Sequence, residues 1–327
     1  MPFRAYLISS TPEGVHAAFT MLDDDGLDPG DVTVRVQYAS INYKDALAAT
    51  GKGRIIRRFP CVGGIDASGI VEASGSPRFQ PGDAVIVHGH GFGVSHHGGY
   101  AARARAPAAW INKVPAGMST LDAITLGVAG YTAALGIDAM ELNGLAPHKG
   151  KVLVNGATGG VASVSIDLLA QRGYDVVAVT GKPQEAQYLR ELGAAEVIAS
   201  ADLAAGDKPL EPALWQGAVD SLGGAPLSAL TRTMRKDGVI ASIGNAAGLE
   251  FTTSVMPFIL RGVRLLGINS DNEPEVRERV WQRLASDLKP KHLAAIARVI
   301  PFDELPQAIA AVIGGRARGR TVVRMAD

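Results

Sequence analysis

The sequence predicts an α/β protein of two domains, a β-rich amino-terminal domain followed by a doubly wound parallel sheet. Three observations carry this. Residues 152–164, VLVNGATGGVASV, run from an apolar strand through a glycine-rich turn into a helix of small and apolar residues. From about residue 122 onward strand and helix patterns alternate, with strands at 151–154, 175–179, 196–198, 217–220, 239–243 and 264–268. Ahead of that point, short strand patterns and turn residues dominate. Six strands alternating with helices make a parallel sheet whose ligand edge lies at the strands' carboxyl ends.

Residues 32–38 (VTVRVQY) alternate with period two, the pattern of a half-buried strand. Residues 69–73 and 84–88 are short apolar strands bounded by Gly, Pro or Asp. Pro81 and Gly82 form the turn that enters the second of them. A helix is predicted over 43–49, with Asn42 as N-cap and Asp45 placed to complete a capping box. In the second part, 163–172 is the helix after the glycine-rich turn. Residues 184–192 form a helix with Tyr188, Leu189 and Leu192 on one face and Gly193 as its stop. The tail holds amphipathic helices at 274–288 and 302–313 and a strand at 321–325. It is expected to return to the first domain, giving domains 1–123 with 270–327, and 124–269.

At 327 residues and 47% hydrophobic, the chain has the length and apolar content for two cores. Its 32 basic and 32 acidic residues balance, so nothing global points to nucleic acid or an anionic membrane. A single cysteine, Cys61, excludes an internal disulfide and points to a reducing compartment. The amino terminus lacks a signal-peptide pattern. The most apolar window, 121–140, contains Asp122, Asp138 and several glycines, which reads as a buried helix pair rather than a membrane span. A soluble cytoplasmic protein is expected.

The glycine-rich turn carries the first functional statement. Such a turn holds a dinucleotide pyrophosphate. Gly159 lets the backbone approach the phosphates, and the following helix offers free N–H groups and its positive dipole end. Counting from Ala157, the turn reads A-x-G-G-x-A, with alanine where the fingerprint has its first and last glycine. Alanine suits the last position, whose task is close packing of helix on strand. The cofactor-facing residues are Thr158, Gly159, Gly160 and Val161. The second strand then ends in Thr180, Gly181 and Lys182, with no acid for the ribose hydroxyls. A hydroxyl, an open backbone and a cation suit a 2′-phosphate, so the cofactor reading is NADP(H) over NAD(H). The competing reading of Lys182 is an ordinary solvated loop lysine. Asn245, just past strand 239–243, is placed near the nicotinamide, and Ser200, after the third strand, near the adenine side.

The order of elements and five motifs resemble the medium-chain dehydrogenase/reductase superfamily. The motifs are INYKDAL (41–47), GGIDASGIV (63–71), FQPGDAVIV (79–87), GVAGYTAAL (127–135) and the glycine-rich turn. The resemblance spans essentially the whole chain and implies a GroES-like catalytic domain, a Rossmann domain and a returning tail. More narrowly, the chain is similar to the acrylyl-CoA reductase (NADPH) family of quinone-oxidoreductase-like proteins, through NYKDAL, HHGGYAARARA (96–106) and TSVMPFILRGVRLLGINS (253–270). That resemblance implies cofactor contacts at Ile259 and Ser270, and from the tail at Arg318. It also implies a basic residue where Ser200 stands, so more of the 2′-phosphate falls to Lys182. Superfamily members often dimerise by pairing their last Rossmann strand, and 264–268 (RLLGI) is apolar enough for such an edge; a homodimer is expected.

Zinc-dependent members use a cysteine just after the third strand and a GHE-type histidine downstream. Here those places hold Asn42-Tyr43-Lys44-Asp45 and Gly64-Ile65-Asp66. His88, His90, His96 and His97 cluster in a glycine-rich loop without an accompanying carboxylate or cysteine, and no metal is expected. Reduction of a polarised C=C bond needs no Lewis acid. It needs a hydride at the β-carbon, donors near the resulting enolate oxygen and a proton for the α-carbon. Tyr43 is the first candidate beside the nicotinamide, as contact or proton donor, with Asp45 orienting its neighbours; direct protonation by water is the alternative. Arg54, Arg57 and Arg58 in KGRIIRR are candidates for the phosphates of a CoA substrate, against a reading as a solvated charged loop. The reading is NADPH-dependent reduction of an enoyl-CoA, acryloyl-CoA to propanoyl-CoA first. The alternatives are an NADPH quinone or 2-alkenal reductase and a non-catalytic NADPH-binding protein.

Overall fold

The computed structural model describes residues 2–203 and 206–325, and the chain divides into two compact units. The first comprises Met1–Val128, Glu273–Glu278 and Leu293–Asp327, the second Ala129–Asn272 and Arg279–His292; the outermost residues, 1 and 326–327, lie outside the described ones.

In the first unit the chain forms, in order, β1 (Phe3–Thr11), β2 (Gly14–Leu22), β3 (Val32–Ile41), α1 (Tyr43–Thr50), β4 (Cys61–Val62), β5 (Asp66–Ser74), β6 (Ala84–His88), β7 (Arg103–Ala106) and β8 (Ile111–Lys113). β1 and β2 are a continuous antiparallel hairpin from Phe3↔Leu22 to Thr11↔Gly14, a pair the sequence pattern did not separate. The larger sheet centres on β3. Val32, Val34 and Val36 are all buried there, and the exposed Arg35 lies between two of them, as period-two alternation requires. Each buried valine contributes roughly 1.5–3 kcal/mol.

α2 (Thr120–Leu142) consists of two helices merged across a kink at Gly127, whose φ of 51° and ψ of −153° are not helical. Its apolar stretch is 89% buried. This is the buried helix pair that the sequence predicts.

The second unit then follows as β9 (Val152–Val154), α3 (Gly160–Gln171), β10 (Val176–Thr180), α4 (Ala186–Glu191), β11 (Glu196–Ala199), β12 (Trp215–Asp220), α5 (Gly224–Thr233), β13 (Met234–Ser242), α6 (Met256–Arg261) and β14 (Arg264–Gly267). The six strands lie in the order β11-β10-β9-β12-β13-β14, each neighbouring pair parallel. The predicted doubly wound sheet is therefore present, and the order reverses between β9 and β12, where ligands bind in such sheets. β13 starts five residues before the predicted 239: Met234 pairs with Trp215 across an irregularity, although the intervening residues are polar.

The tail adds α7 (Pro274–Ala285), α8 (Leu293–Ile296), β15 (Ala297–Pro301), α9 (Leu305–Ile313) and β16 (Arg320–Arg324). β16 pairs antiparallel with β3, and Ile300, Phe302, Leu305, Ile309 and Val323 enter the first unit's core. The expected assignment of all of 270–327 to the first domain is corrected. Residues 279–292 go with the second unit because Arg283 pairs with Asp138 (2.9 Å) and Glu141 (2.6 Å), Arg279 pairs with Asp138 (2.9 Å), and Trp281 stacks near Tyr131.

Candidate cofactor site and active-site residues

In the second unit the turn after β9 is shaped by Gly156, the residue of this turn with a left-handed φ (58°). Asn155 fastens it. Its Oδ1 accepts from Ser221 N at 2.7 Å, and its Nδ2 donates to the buried Asp220. Gly159 is the N-cap of α3, and no side chain caps that helix, so its first-turn N–H groups stay available. A Cβ built on Gly159 would meet only Gly156 O, at 3.2 Å. Nothing inside the protein demands glycine at 159. The bare backbone suits a group arriving from outside, as a phosphate does.

The neighbouring strand ends complete a row along the carboxyl edge. Thr180 closes β10, and its Oγ1 accepts from Lys182 N at 3.0 Å. Ser200 N donates to Thr180 O at 2.8 Å, and a Cβ on exposed Gly181 would meet only Ser200 Oγ, at 3.6 Å. Lys182 is half-buried and Ser200 exposed. After β12, Asp220 accepts from Leu222 N (3.3 Å) and Gly223 N (3.1 Å); burial raises its carboxyl against those donors. It orients the loop 221–224 rather than facing outward. Asn245, exposed, follows β13, and half-buried Ser270 follows β14. Thr158, Gly159, Gly160, Val161, Thr180, Gly181, Lys182, Ser200, Asn245 and Ser270 thus share one edge of the sheet. Ile259 is 72% exposed on α6, which lies between β13 and β14 in the chain.

In the first unit, Tyr43 opens α1 and is 44% exposed. Asn42 caps this helix, and the return half of the capping box is present: Asp45 Oδ2 accepts from Asn42 N at 2.9 Å. Asp45 is 2% exposed and also accepts from Asn42 Nδ2 (3.1 Å) and Ile65 N (2.9 Å). Burial and the charge of Asp66 push its carboxyl up to about 7, against those three donors. Asp45 is a buried anchor, with no exposed oxygen to offer a reactant.

Two residues that the sequence reading passed over complete this cluster. Buried Arg320 donates to Asn42 Oδ1 (2.8 Å), Thr125 O (3.1 Å) and Ser40 Oγ, and lies 3.5 Å from Asp66. Asp66 accepts from Ser40 Oγ and from Val128 N at 2.9 Å. Gly127 must be glycine here: a Cβ would stand 2.4 Å from Asp66 Oδ2 and 2.8 Å from an Arg320 nitrogen. No local pattern marks a buried arginine in the tail segment GRARGRT.

The donors at these places do not fit a zinc ion. The Asn42 amide is taken up by Arg320, Asp45 and Ser40, and Ile65 offers no ligand atom. Among the described residues no three His, Cys, Asp or Glu side chains are grouped to hold a metal. In the histidine loop, His97 Nδ1 accepts from Val62 N at 2.9 Å, and the His96 ring nitrogens face His97 O and Pro29 O at 3.0 Å each. Arg58 bonds Asp28. Burial alone would raise the Asp28 carboxyl, but the His97 N–H and charge, Arg58 and His96 hold it low. Arg54, Arg57 and Arg58 are all exposed, and Arg58 shares its guanidinium with Asp28. Arg318 lies exposed in the loop before β16.

Residues 28–116 match the Alcohol dehydrogenase GroES-like domain family, and residues 160–286 match the Zinc-binding dehydrogenase family. The chain is 41% identical to the acrylyl-CoA reductase AcuI of Ruegeria pomeroyi, covering 98% of each chain. It resembles the crystal structure of Escherichia coli K-12 YhdH with bound NADPH at a TM-score of 0.94, with 42% identity over 98% of this chain and 99% of that one. Bacillus subtilis yhfP with NAD bound gives a TM-score of 0.95 and 42% identity over 99% of both. With both domain families matched in order and such identity over nearly its full length, the chain belongs to the medium-chain dehydrogenase/reductase superfamily, in the quinone-oxidoreductase-like branch that includes the acrylyl-CoA reductases.

Proposed function

We propose that this protein reduces the C=C bond of an enoyl-CoA with NADPH, acryloyl-CoA to propanoyl-CoA first. The observation that supports this most is the strand-end row, where β10 ends in Thr180, Gly181 and Lys182 without an acid. It is joined by the likeness to an acrylyl-CoA reductase and to a structure holding NADPH.

Thr158 to Val161 hold the pyrophosphate on the open N–H groups of α3. Thr180, Gly181, Lys182 and Ser200 take the phosphorylated ribose, and Asn245 and Ser270 serve the nicotinamide. When bound, NADPH supplies the hydride that adds to the β-carbon of the polarised alkene. The chain positions the acyl group, stabilises charge on the thioester oxygen and admits one proton to the α-carbon. Tyr43 carries the donor role, and Asp45 acts through Asn42 by fixing the start of α1. A Tyr43→Phe variant that loses about tenfold or more in kcat at unchanged NADPH affinity supports this; an unchanged kcat assigns the proton to water. The reaction uses no zinc, so activity survives exhaustive chelation. Arg54 and Arg57 dock the CoA phosphates.

NADPH oxidation measured with acryloyl-CoA, crotonyl-CoA, acrolein and a quinone decides among the readings. A higher kcat/KM for acrolein or the quinone moves the protein to the quinone or 2-alkenal reductases. Tight NADPH binding without turnover on any acceptor makes it a non-catalytic NADPH-binding protein.

We also propose a homodimer through β14. This strand ends the six-stranded sheet, with no partner on its outer edge among the described residues, and Val255, Met256, Ile259 and Leu260 on and beside α6 are exposed. Light scattering at twice the chain's 34.0 kDa supports it, and a monomer at micromolar concentration rejects it.

A further inference from the structure

The first unit carries a cavity of ≈ 610 Å³ that includes none of the residues assigned above to cofactor or substrate. Its apolar lining includes Phe3, Val36, Phe302 and Met325. Four arginines, Arg4, Arg35, Arg103 and Arg324, line it with a single carboxylate, Glu72. Arg35 and Arg103 are direct cross-strand partners, so their side chains leave the sheet on the same face. Like charges so placed destabilise a sheet.

Two of the four are neutralised. Arg103 pairs with Glu72 at 2.9 Å and Asp24 at 3.1 Å. Arg4 pairs with Asp303, and its guanidinium lies 4.0 Å from the Phe19 ring centroid. Among the described residues no carboxylate pairs with Arg35 or Arg324. Both are exposed at the rim, one on β3 and the other on its neighbour β16. Tyr38, the β3 residue of this lining nearest to Asn42 in the chain, precedes it by roughly 13 Å of strand.

A cavity of this size, partly apolar in its lining and with two uncompensated, fork-shaped cations, suits one class of ligand. We propose that the cavity binds an organic anion with an apolar body and a carboxylate or phosphate head, the head held by Arg35 and Arg324. Titration calorimetry at constant ionic strength tests it with octanoate and hexyl phosphate, which also separates the two head groups. Hexanol and inorganic phosphate test the body and the head alone. At least one amphiphile should bind saturably to the wild type and about tenfold or more weaker to the Arg35→Gln/Arg324→Gln double variant. Hexanol and phosphate should bind more weakly than that amphiphile.

A second readout keeps a purely structural role distinguishable. Without ligand the double variant should melt close to the wild type, because Arg103 is already neutralised by Glu72 and Asp24 and both replaced arginines are exposed. The amphiphile should raise the melting temperature of the wild type alone. NADPH affinity and turnover stay unchanged in the variant, so this proposal and the reductase reading fail independently. Equal binding by variant and wild type, hexanol or phosphate binding as tightly as the amphiphiles, or no saturable binding up to about 10 mM of either amphiphile overturns it.

Discussion

Replacing Gly127 by alanine tests the packing around the buried Asp66–Arg320 pair. Two costs are separable. The backbone at φ 51° and ψ −153° is nearly exclusive to glycine, and an L-residue held there costs about 1–3 kcal/mol. The new methyl would also stand 2.4 Å from Asp66 Oδ2. That carboxylate accepts from Val128 N, accepts from Ser40 Oγ and faces Arg320, all without solvent. Displacing it weakens at least one charge-assisted hydrogen bond, worth about 1.5–3 kcal/mol. The sum is on the order of 4 kcal/mol, a large share of a typical folding free energy of about 5–15 kcal/mol. Gly173→Ala is the control, because Gly173 has a φ of 80° and nothing within 4 Å of a built Cβ, so it carries the backbone cost alone. Thermal melts and urea titrations of both variants should place Gly127→Ala about 2 kcal/mol or more below Gly173→Ala. Equal destabilisation would show that the pair yields to a methyl group without loss, and the reasoning about its rigidity would fail.

Asp45 sets a pH dependence. Its folded-state value near 7 lies above the ordinary 3.8, so stability is greatest below about 3.8 and falls as pH rises toward 7, by on the order of 2–4 kcal/mol. Asp45→Asn cannot ionise, so its stability gap to the wild type should narrow between pH 5 and 8.5, followed by denaturant titration; a constant gap would mean that the three N–H donors keep Asp45 ionised throughout. Gly159→Ala should lower the melting temperature only slightly, because its Cβ meets only Gly156 O, at 3.2 Å, while raising the NADPH dissociation constant about tenfold or more by fluorescence titration. Arg283→Met removes partners from Asp138, Glu141 and Asp287, and should cost about 2 kcal/mol, with faster amide exchange in residues 279–292.

What the sequence disclosed depended on the range of the interaction. The Asn42–Asp45 capping box spans three residues and was legible, as were the six strands and the glycine-rich turn, each carried by a local pattern. Arg320 meets Asn42 across 278 residues, and no window contains both. Charge in a sequence shows cations without their partners: Arg58 pairs with Asp28, 30 residues away. The β1–β2 hairpin was missed because the burial of β1 breaks alternation at Ala5 and Tyr6, while β2 holds no buried residue. Ile259 was carried over from a family motif and not from any local pattern of its own. The tail divided where its arginines found Asp138 and Glu141, a choice made by pairing rather than by periodicity.

The pairing of β16 with β3 sets a timetable for biosynthesis. During translation β3 emerges early, but its partner at Arg320–Arg324 follows only some 280 residues later, so the Tyr38–Ile41 part of one edge waits bare meanwhile. The parallel sheet from Val152 to Gly267 has all its strands in hand long before then. A nascent chain stalled near residue 300 would therefore carry a finished sheet beside an open one, and that open edge is where chaperones or misassembly would act first.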